Sequence, residues 1–359
     1  MSLFSILIPT RNRSEYLKYA VDSALLQTFR DLEVVISDNA SEDNTRELVE
    51  KINDARIKYS RVEQFVSVAE NFNNVFRKSS GEYFILMGDD DYLMPYYLEE
   101  IYKCLRKSSD VDVFLSNTAE FDYRINKLSI YQGTNFSFRE EDKGKIIKQY
   151  FNFIAVPHNS TMSCFSKKLA KETTFDGKLY GGPFPDYLAN FSMIVKANRV
   201  FKTDLITNIT TITKKSLCVK QFSTNINERK DIFYQAPLLK SITLPIVGEY
   251  LHINGFYQTL TLLQSRFPAE TGSFKINKRR YYEAVGREFV ALAFQDFKGF
   301  DLVYFKRLVS FCFKIPFSVF LTFIIFHFPA RLLYGIMPEK IRDKVVNLYL
   351  KMVRRNAIS

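Results

Sequence analysis

The alternation of strand-like and helix-like segments in the first 118 residues constrains this chain more than any other feature. Apolar runs at 5–10 (SILIPT), 32–39 (LEVVISDN), 57–62 (IKYSRV), 82–88 (EYFILMG) and 111–117 (VDVFLSN) have the length and β-branched content of strands. The segments between them, 14–28, 43–53, 67–78 and 95–107, carry helical spacing. Ser14 is placed to cap the first helix, and Ser41 or Asp43 the second. Several runs are apolar on both faces, as buried parallel strands are. The pattern predicts an α/β fold, a mostly parallel open sheet flanked by helices and joined by right-handed crossovers.

In such sheets ligands bind beyond the carboxyl ends of the strands. Pro9-Thr10-Arg11-Asn12-Arg13 follows the first strand, Asp38-Asn39-Ala40-Ser41 the second, and Asp89-Asp90-Asp91 the fourth. Three polar clusters at one edge predict a binding cleft. The three aspartates raise a problem of their own. At neutral pH ordinary carboxyls are ionised, so adjacent ones repel and need a partner: solvent, a helix N-terminus or a metal ion. Further on, a Gly/Pro-rich loop, FDGKLYGGPFPDY (175–187), leads into Asp186 at the head of a helical segment.

The 359 residues suit two domains, or one with a large appendage, and 47% hydrophobic residues suffice for a core. The four cysteines are scattered, with no CxxC pair, which points away from structural zinc and disulfides and toward a reducing compartment. The start, MSLFSILIPTRNR, has no basic region ahead of its apolar stretch and no small-residue cleavage site, so it reads as a strand and not a signal. No GxGxxG, P-loop lysine or GxSxG motif occurs, so dinucleotide, ATP and serine-hydrolase readings lack their central elements. The net charge of +11 is skewed: from Asp301 onward ten Lys/Arg stand against three Asp/Glu. That basic tail overlaps the apolar peak at 309–336, whose uninterrupted part, Ile315–Phe326, is shorter than the ~20 residues of a spanning helix. A basic amphipathic stretch follows. The combination predicts interfacial attachment to an anionic membrane surface, with a buried helical hairpin or a dimer surface as the plainer alternative. No nucleic-acid signature is present.

SILIPTRNR, VVISDNAS, GEYFILMGDDD and the later Pro185-Asp186-Tyr187 together resemble the family 2 glycosyltransferases, which have a Rossmann-like GT-A fold and include many bacterial enzymes of surface-polysaccharide synthesis. The resemblance is good over 1–118 and extends to about 215. It implies a nucleotide-sugar-binding half (1–118), an acceptor-binding half (119–220) and a helical, basic and apolar C-terminal region (221–359). It implies inverting transfer from a nucleotide sugar, a UDP-sugar above all, to a saccharide or lipid-linked saccharide, by a cytoplasmic enzyme peripheral to the inner membrane face. Asp89 and Asp91 would frame a DXD motif holding Mn2+ or Mg2+, with Asp91 the direct ligand and Asp90 at the sugar or ribose. Asp38 would read the base. Pro9, Thr10, Arg11, Asn12 and Asn71 would contact the donor. Asp186 would be the general base, and His158 and Arg199 would line the acceptor site. The chemistry agrees: a leaving diphosphate gains from a cation held by hard oxygen ligands, and an attacking hydroxyl from a placed carboxylate.

Plainer roles stand beside these. Asp90 or Asp91 could cap the helix near Pro95, Asp186 the helix that follows it, and Asn39 and Ser41 could serve turn and cap chemistry. The chain also departs from the family pattern at Gly88, Glu70 and Pro185, where relatives often carry Asp, a basic residue and Glu. Those departures support the alternative of a non-catalytic nucleotide-sugar-binding or scaffold relative. Nucleotidyl transfer is a third reading.

Overall fold

The computed structural model describes residues 2–124, 126–130, 138–154, 162–182, 184–213, 252–293 and Ile315. The expected strands form as β1 (Phe4–Thr10), β2 (Leu32–Asp38), β3 (Ile57–Arg61), β4 (Tyr83–Leu86) and β6 (Val113–Asp122). Between them lie α1 (Ser14–Leu25), α2 (Thr45–Glu50), α3 (Val68–Lys78) and α4 (Tyr97–Leu105). A two-residue strand, β5 (Tyr92–Leu93), precedes α4. Later come β7 (Lys127–Ile130), β8 (Arg139–Glu140), α5 (Lys143–Phe151), β9 (Cys164–Ser166), α6 (Lys167–Glu172), α7 (Pro185–Lys196) and β10 (Val200–Ile212). Helices α8 (His252–Arg266), α9 (Pro268–Thr271) and α10 (Lys278–Ala293) complete the described chain.

One sheet runs in the order β3-β2-β1-β4-β9-β6-β10-β5, with β7 on β6 and β8 on β10. Its first four strands are parallel. β9 then enters antiparallel to both β4 and β6, and β6 and β10 resume parallel pairing, so the sheet is mixed. The boundary at 118/119 falls inside β6, and the two halves share this sheet.

Side chains alternate across the strands and feed two apolar layers. Phe4, Ile6 and Ile8 of β1 pack with Val34 and Ile36 of β2 against Leu17, Val21 and Ala24 of α1 and Leu98 and Ile101 of α4. Leu7, Val35, Phe84 and Val113 face the other way, toward Val75 and Phe76 of α3, Ile147 and Phe151 of α5, and helices α7 and α8. α7 then leads through 197–199 into Val200 of β10, which pairs with Val113 at the start of β6. Its last turn therefore lies at the amino edge of the sheet. Twelve helical residues span ~18 Å, which returns its first turn to the carboxyl edge.

The caps differ from expectation. Ser14 is the first residue of α1, not its N-cap, and its N–H donates to Asp43 Oδ2 at 2.9 Å. Asp43 Oδ1 also accepts from the N–H of Thr45, the first residue of α2. One carboxylate serves both helix starts. The residue at N-cap of α1 is Arg13, which makes no side-chain cap bond there.

The apolar peak at 309–336 lies outside the described residues, Ile315 apart. Among the described residues no helix is long and apolar enough to cross a membrane. α8 packs on α7 so closely that a Cβ on Gly255 would lie 1.9 Å from the Phe184 ring.

At the amino edge, Glu33 is buried. Its Oε1 accepts from Ser5 Oγ at 2.6 Å and Ser80 N–H at 2.5 Å, and its Oε2 from Ser80 Oγ at 2.8 Å. Lys58 Nζ lies 2.5 Å from Oε2. Burial disfavours the charge, but the bonds from Lys58, Ser5 and Ser80 outweigh it and draw the pKa down to about 2. A depressed carboxyl stabilises the fold above its unfolded value and loses that contribution as pH falls through the folded one. Glu33→Gln should therefore cost ~2–3 kcal/mol in urea titrations at pH 7. The gap to wild type should close between pH ~4.5 and ~2.

Candidate active site

β1 and β2 end side by side, Thr10 opposite Asp38, and Asp38 stands opposite Arg61 of β3. β4 ends one strand away on the other side of β1, and Met87 N–H still bonds Leu7 O. Gly88 and the three aspartates follow directly. The carboxyl ends of β1, β2 and β4 thus bring the expected clusters to one edge.

All three aspartates are buried. Asp89 Oδ2 accepts from Thr10 Oγ1 at 2.7 Å, and Asp89 Oδ1 from Arg13 Nη1 at 2.9 Å. The same nitrogen reaches Asp90 Oδ2 at 3.0 Å. Asp91 Oδ1 accepts from the N–H of Thr211 on β10 at 2.8 Å, and Thr211 Oγ1 donates to Asp90 O at 2.6 Å. Neither Asp90 nor Asp91 caps α4, whose N-cap is Tyr96. Burial pushes the Asp91 carboxyl well above its usual range, and the charge of Asp90 adds to the push. Burial also raises Asp89, against the pull of Arg13. Burial works against the Arg13 guanidinium, but Asp89 and Asp90 outweigh it and hold the proton more tightly.

Gly88 has a steric reason. A Cβ there would lie 2.5 Å from Asp91 Oδ2. The carboxylate occupies the space a side chain would need, so a side chain at this position would require Asp91 to move.

The loops after β1 and β2 are bonded to each other. Asn12, at φ +53°, donates its N–H to Ser41 Oγ at 2.9 Å and accepts from Glu42 N–H at 2.7 Å. Asparagine tolerates this left-handed backbone better than most residues. Arg11 Nη1 donates to Asn39 O at 2.6 Å, and its guanidinium lies 4.5 Å from the centre of the Phe65 ring. Phe65 is 53% exposed. Asn39 bridges Val66 through its O and its N–H, so it joins distant loops and does not form a local turn. Pro9 pairs with Ser37 inside the sheet.

Asp38 is wholly buried, with Ser41 N–H on Oδ1 at 2.9 Å and Tyr59 OH on Oδ2 at 2.7 Å. Arg61 Nε lies 3.4 Å from Oδ2. A cavity of about 310 Å³ opens beside these partners, lined by Arg46, Glu50, Tyr59, Ser60, Arg61, Val62 and Glu63. None of the three aspartates lines it. Asn71 directs its amide to Ser37, accepting from Oγ at 2.7 Å and donating to O at 3.2 Å, and so locks α3 to β2.

Asp186 follows Pro185 in the first turn of α7; Phe184, not Asp186, is the N-cap. A carboxylate is favoured at that helix end. The loop before it is pinned by Asn73, whose Oδ1 accepts from Leu179 N–H and Tyr180 N–H and whose Nδ2 donates to Tyr180 O. Burial, with the charge of Asp186 added, raises the Tyr180 hydroxyl far above its ordinary pKa.

Arg199 does not reach this edge. It precedes β10 at the amino end, donates to Glu140 through Nε and Nη2, and bonds Ser109 O. Its long side chain suits a surface ion pair there, and the expectation that it lines an acceptor site is corrected. His158 lies outside the described residues. Sequence reasoning missed Thr211, Phe65, Tyr59 and Asn73. Arg61 was missed as well; it ends β3 opposite Asp38, and its place in the third apolar run was the available signal.

Among the described residues no ready-made group of three metal-ligating side chains occurs. The chemistry of the aspartates nevertheless suits a hard divalent cation. Asp91 Oδ2 has no bonded partner among the described residues, so it fits as a ligand as it stands. Both Asp89 oxygens accept hydrogen bonds, so a cation there would share the carboxylate with Thr10 and Arg13.

Residues 5–172 match the family description "Glycosyl transferase family 2". The GalNAc(5)-diNAcBac-PP-undecaprenol beta-1,3-glucosyltransferase of Campylobacter jejuni is 28% identical over 186 residues, 50% of this chain and 57% of that protein. The UDP-Glc:alpha-D-GlcNAc-diphosphoundecaprenol beta-1,3-glucosyltransferase WfaP of Escherichia coli is 33% identical over 92 residues, 26% of this chain and 37% of that protein. The match thus spans less than two thirds of the length of either relative. Residues 1–349 of S. aureus TarS, solved with UDP-GlcNAc, superpose with a TM-score of 0.54 at 19% identity, covering 89% of this chain and 83% of that one, a likeness of fold. The mixed sheet with flanking helices is of GT-A type, and residues 5–172, a little under half of the chain, match glycosyl transferase family 2.

Proposed function

We propose that this chain is an inverting glycosyltransferase that moves a sugar from a UDP-sugar to a lipid-linked saccharide in cell-surface polysaccharide synthesis, working peripherally at the cytoplasmic face of a membrane. The observation that carries the reading is the buried Asp89-Asp90-Asp91 cluster at the carboxyl edge of the sheet, in which Asp91 Oδ2 has no bonded partner among the described residues; Asp186 heads α7. The donor and acceptor classes rest on the relatives' names: both contain an undecaprenol diphosphate, and one names UDP-Glc.

In this reading the β1 and β2 loops hold the nucleotide. Arg11 and Phe65 present a flat, partly exposed surface beside Asp38. Asp186 takes the proton of the acceptor hydroxyl as its oxygen bonds the anomeric carbon. The bond from that carbon to the diphosphate breaks in the same step, and the nucleoside diphosphate leaves with the electron pair. A divalent cation, Mn2+ or Mg2+, held by Asp91 with Asp89 or Asp90, would neutralise charge on the departing diphosphate. Thr211 fixes Asp91 from β10, and Asn73 fixes the approach to Asp186.

Three outcomes test this with the full chain, UDP-sugars and a polyprenyl-diphosphate saccharide, measured by UDP release. Asp186→Asn should lower kcat by about 10²–10⁴, and a wild-type rate would remove Asp186 as the base. Asp91→Asn should cost about 10²–10³ and weaken cation dependence. UDP-sugar binding without turnover across all acceptors would favour the non-catalytic alternative. The full chain should float with anionic vesicles, while a chain ending near residue 305 should not. Equal behaviour of the two would rule out attachment through the C-terminal region.

A further inference from the structure

Arg13 is an unusual neighbour for a cation site. It stands just before α1, and its side chain is only 13% exposed. One of its nitrogens, Nη1, sits between two carboxylates, 2.9 Å from Asp89 Oδ1 and 3.0 Å from Asp90 Oδ2. Burying a guanidinium is unfavourable unless it is paired, and here the pairing is double. One guanidinium stands against three carboxyl groups, so Arg13 does not pair with all of them. Two of the three carboxylates are bridged, and the third, Asp91, is held by β10 and not by Arg13.

A divalent cation on Asp91 that also takes up Asp89 or Asp90 meets Arg13 at the same carboxylates. Cation and guanidinium cannot both bind Asp89 Oδ1 and Asp90 Oδ2 at full strength. At ~4 Å, and at an effective dielectric constant near 20, the repulsion between the two positive centres is large compared with thermal energy. A donor diphosphate changes that balance. It brings negative charge of its own, and a guanidinium is well shaped to pair with phosphate oxygens.

We propose that Arg13 is the built-in counter-ion of the aspartate cluster, competing with the divalent cation for Asp89 and Asp90 until the donor diphosphate draws the guanidinium away. The competition holds cation affinity low in the donor-free protein and makes cation and donor bind cooperatively. Linkage then requires each to tighten the other by the same factor. The inference rests on the proposed function, since it assumes that the cluster receives a cation and a diphosphate.

The test is calorimetric titration of Mn2+ alone, and then of Mn2+ with UDP, into the full chain and its variants. Arg13→Met, neutral and of similar bulk, should bind Mn2+ alone at least about tenfold more tightly than wild type. It should also lose most of the tightening that UDP gives wild type. Arg13→Lys, with a weaker grip on two oxygens at once, should fall between them, and it carries the test if the Met variant does not fold. Unchanged or weaker Mn2+ binding in folded variants, or no Mn2+ binding by any of them with UDP present, would overturn the proposal. Asp91→Asn separates the two ideas. If it transfers sugar at the wild-type rate, the reading of the cluster fails. If it is inactive while the Arg13 variants bind Mn2+ as wild type does, only the counter-ion role fails.

Discussion

Three adjacent carboxylates in a poorly solvated turn are the constraint on which the rest of the site depends. Left alone they would take up protons or force the turn open. They persist because separate parts of the chain converge on them: Thr10 from the end of β1, Arg13 from the start of α1, and Thr211 from the end of β10. Each contact binds a different element to the turn after β4. The charge problem is thereby also what fastens the edge of the sheet together. Gly88 belongs to the same solution, because the Asp91 carboxylate needs the volume its side chain would fill.

The contact from β10 matters most for architecture. Residues 5–172 carry the family match, yet Thr211 lies beyond it and supplies both a backbone donor and a hydroxyl to the aspartate turn. β10 reaches that point because β6 beside it is a ten-residue strand that also ends at the carboxyl edge. The first half of the sheet presents the carboxylates, and the second half fixes how one of them points.

What was legible in the sequence follows from which signals are local. The apolar runs of β1, β2, β3, β4 and β6 stood out because buried parallel strands are apolar on both faces. The three polar clusters were visible because they follow those runs directly. The cap of α1 was misread because its acceptor, Asp43, comes from the next loop and not from the helix's own sequence. β9, three residues long, is too short for any periodicity to register, and it is an antiparallel strand within the expected mostly parallel order. Arg199 was placed at the site by residue type, but the direction of β10 puts it at the far edge. Thr211 lay 120 residues from its partner, and no local pattern reports a contact of that span.

The bonding between the first two loops has its own consequence. Arg11 is tied to Asn39, Asn12 to Ser41 and Glu42, and Ser14 to Asp43. Four residues after one strand and five after its neighbour are therefore joined as one block. A change that reshapes either loop is felt by both, so remodelling this edge of the sheet would have to proceed through paired substitutions across the strand gap.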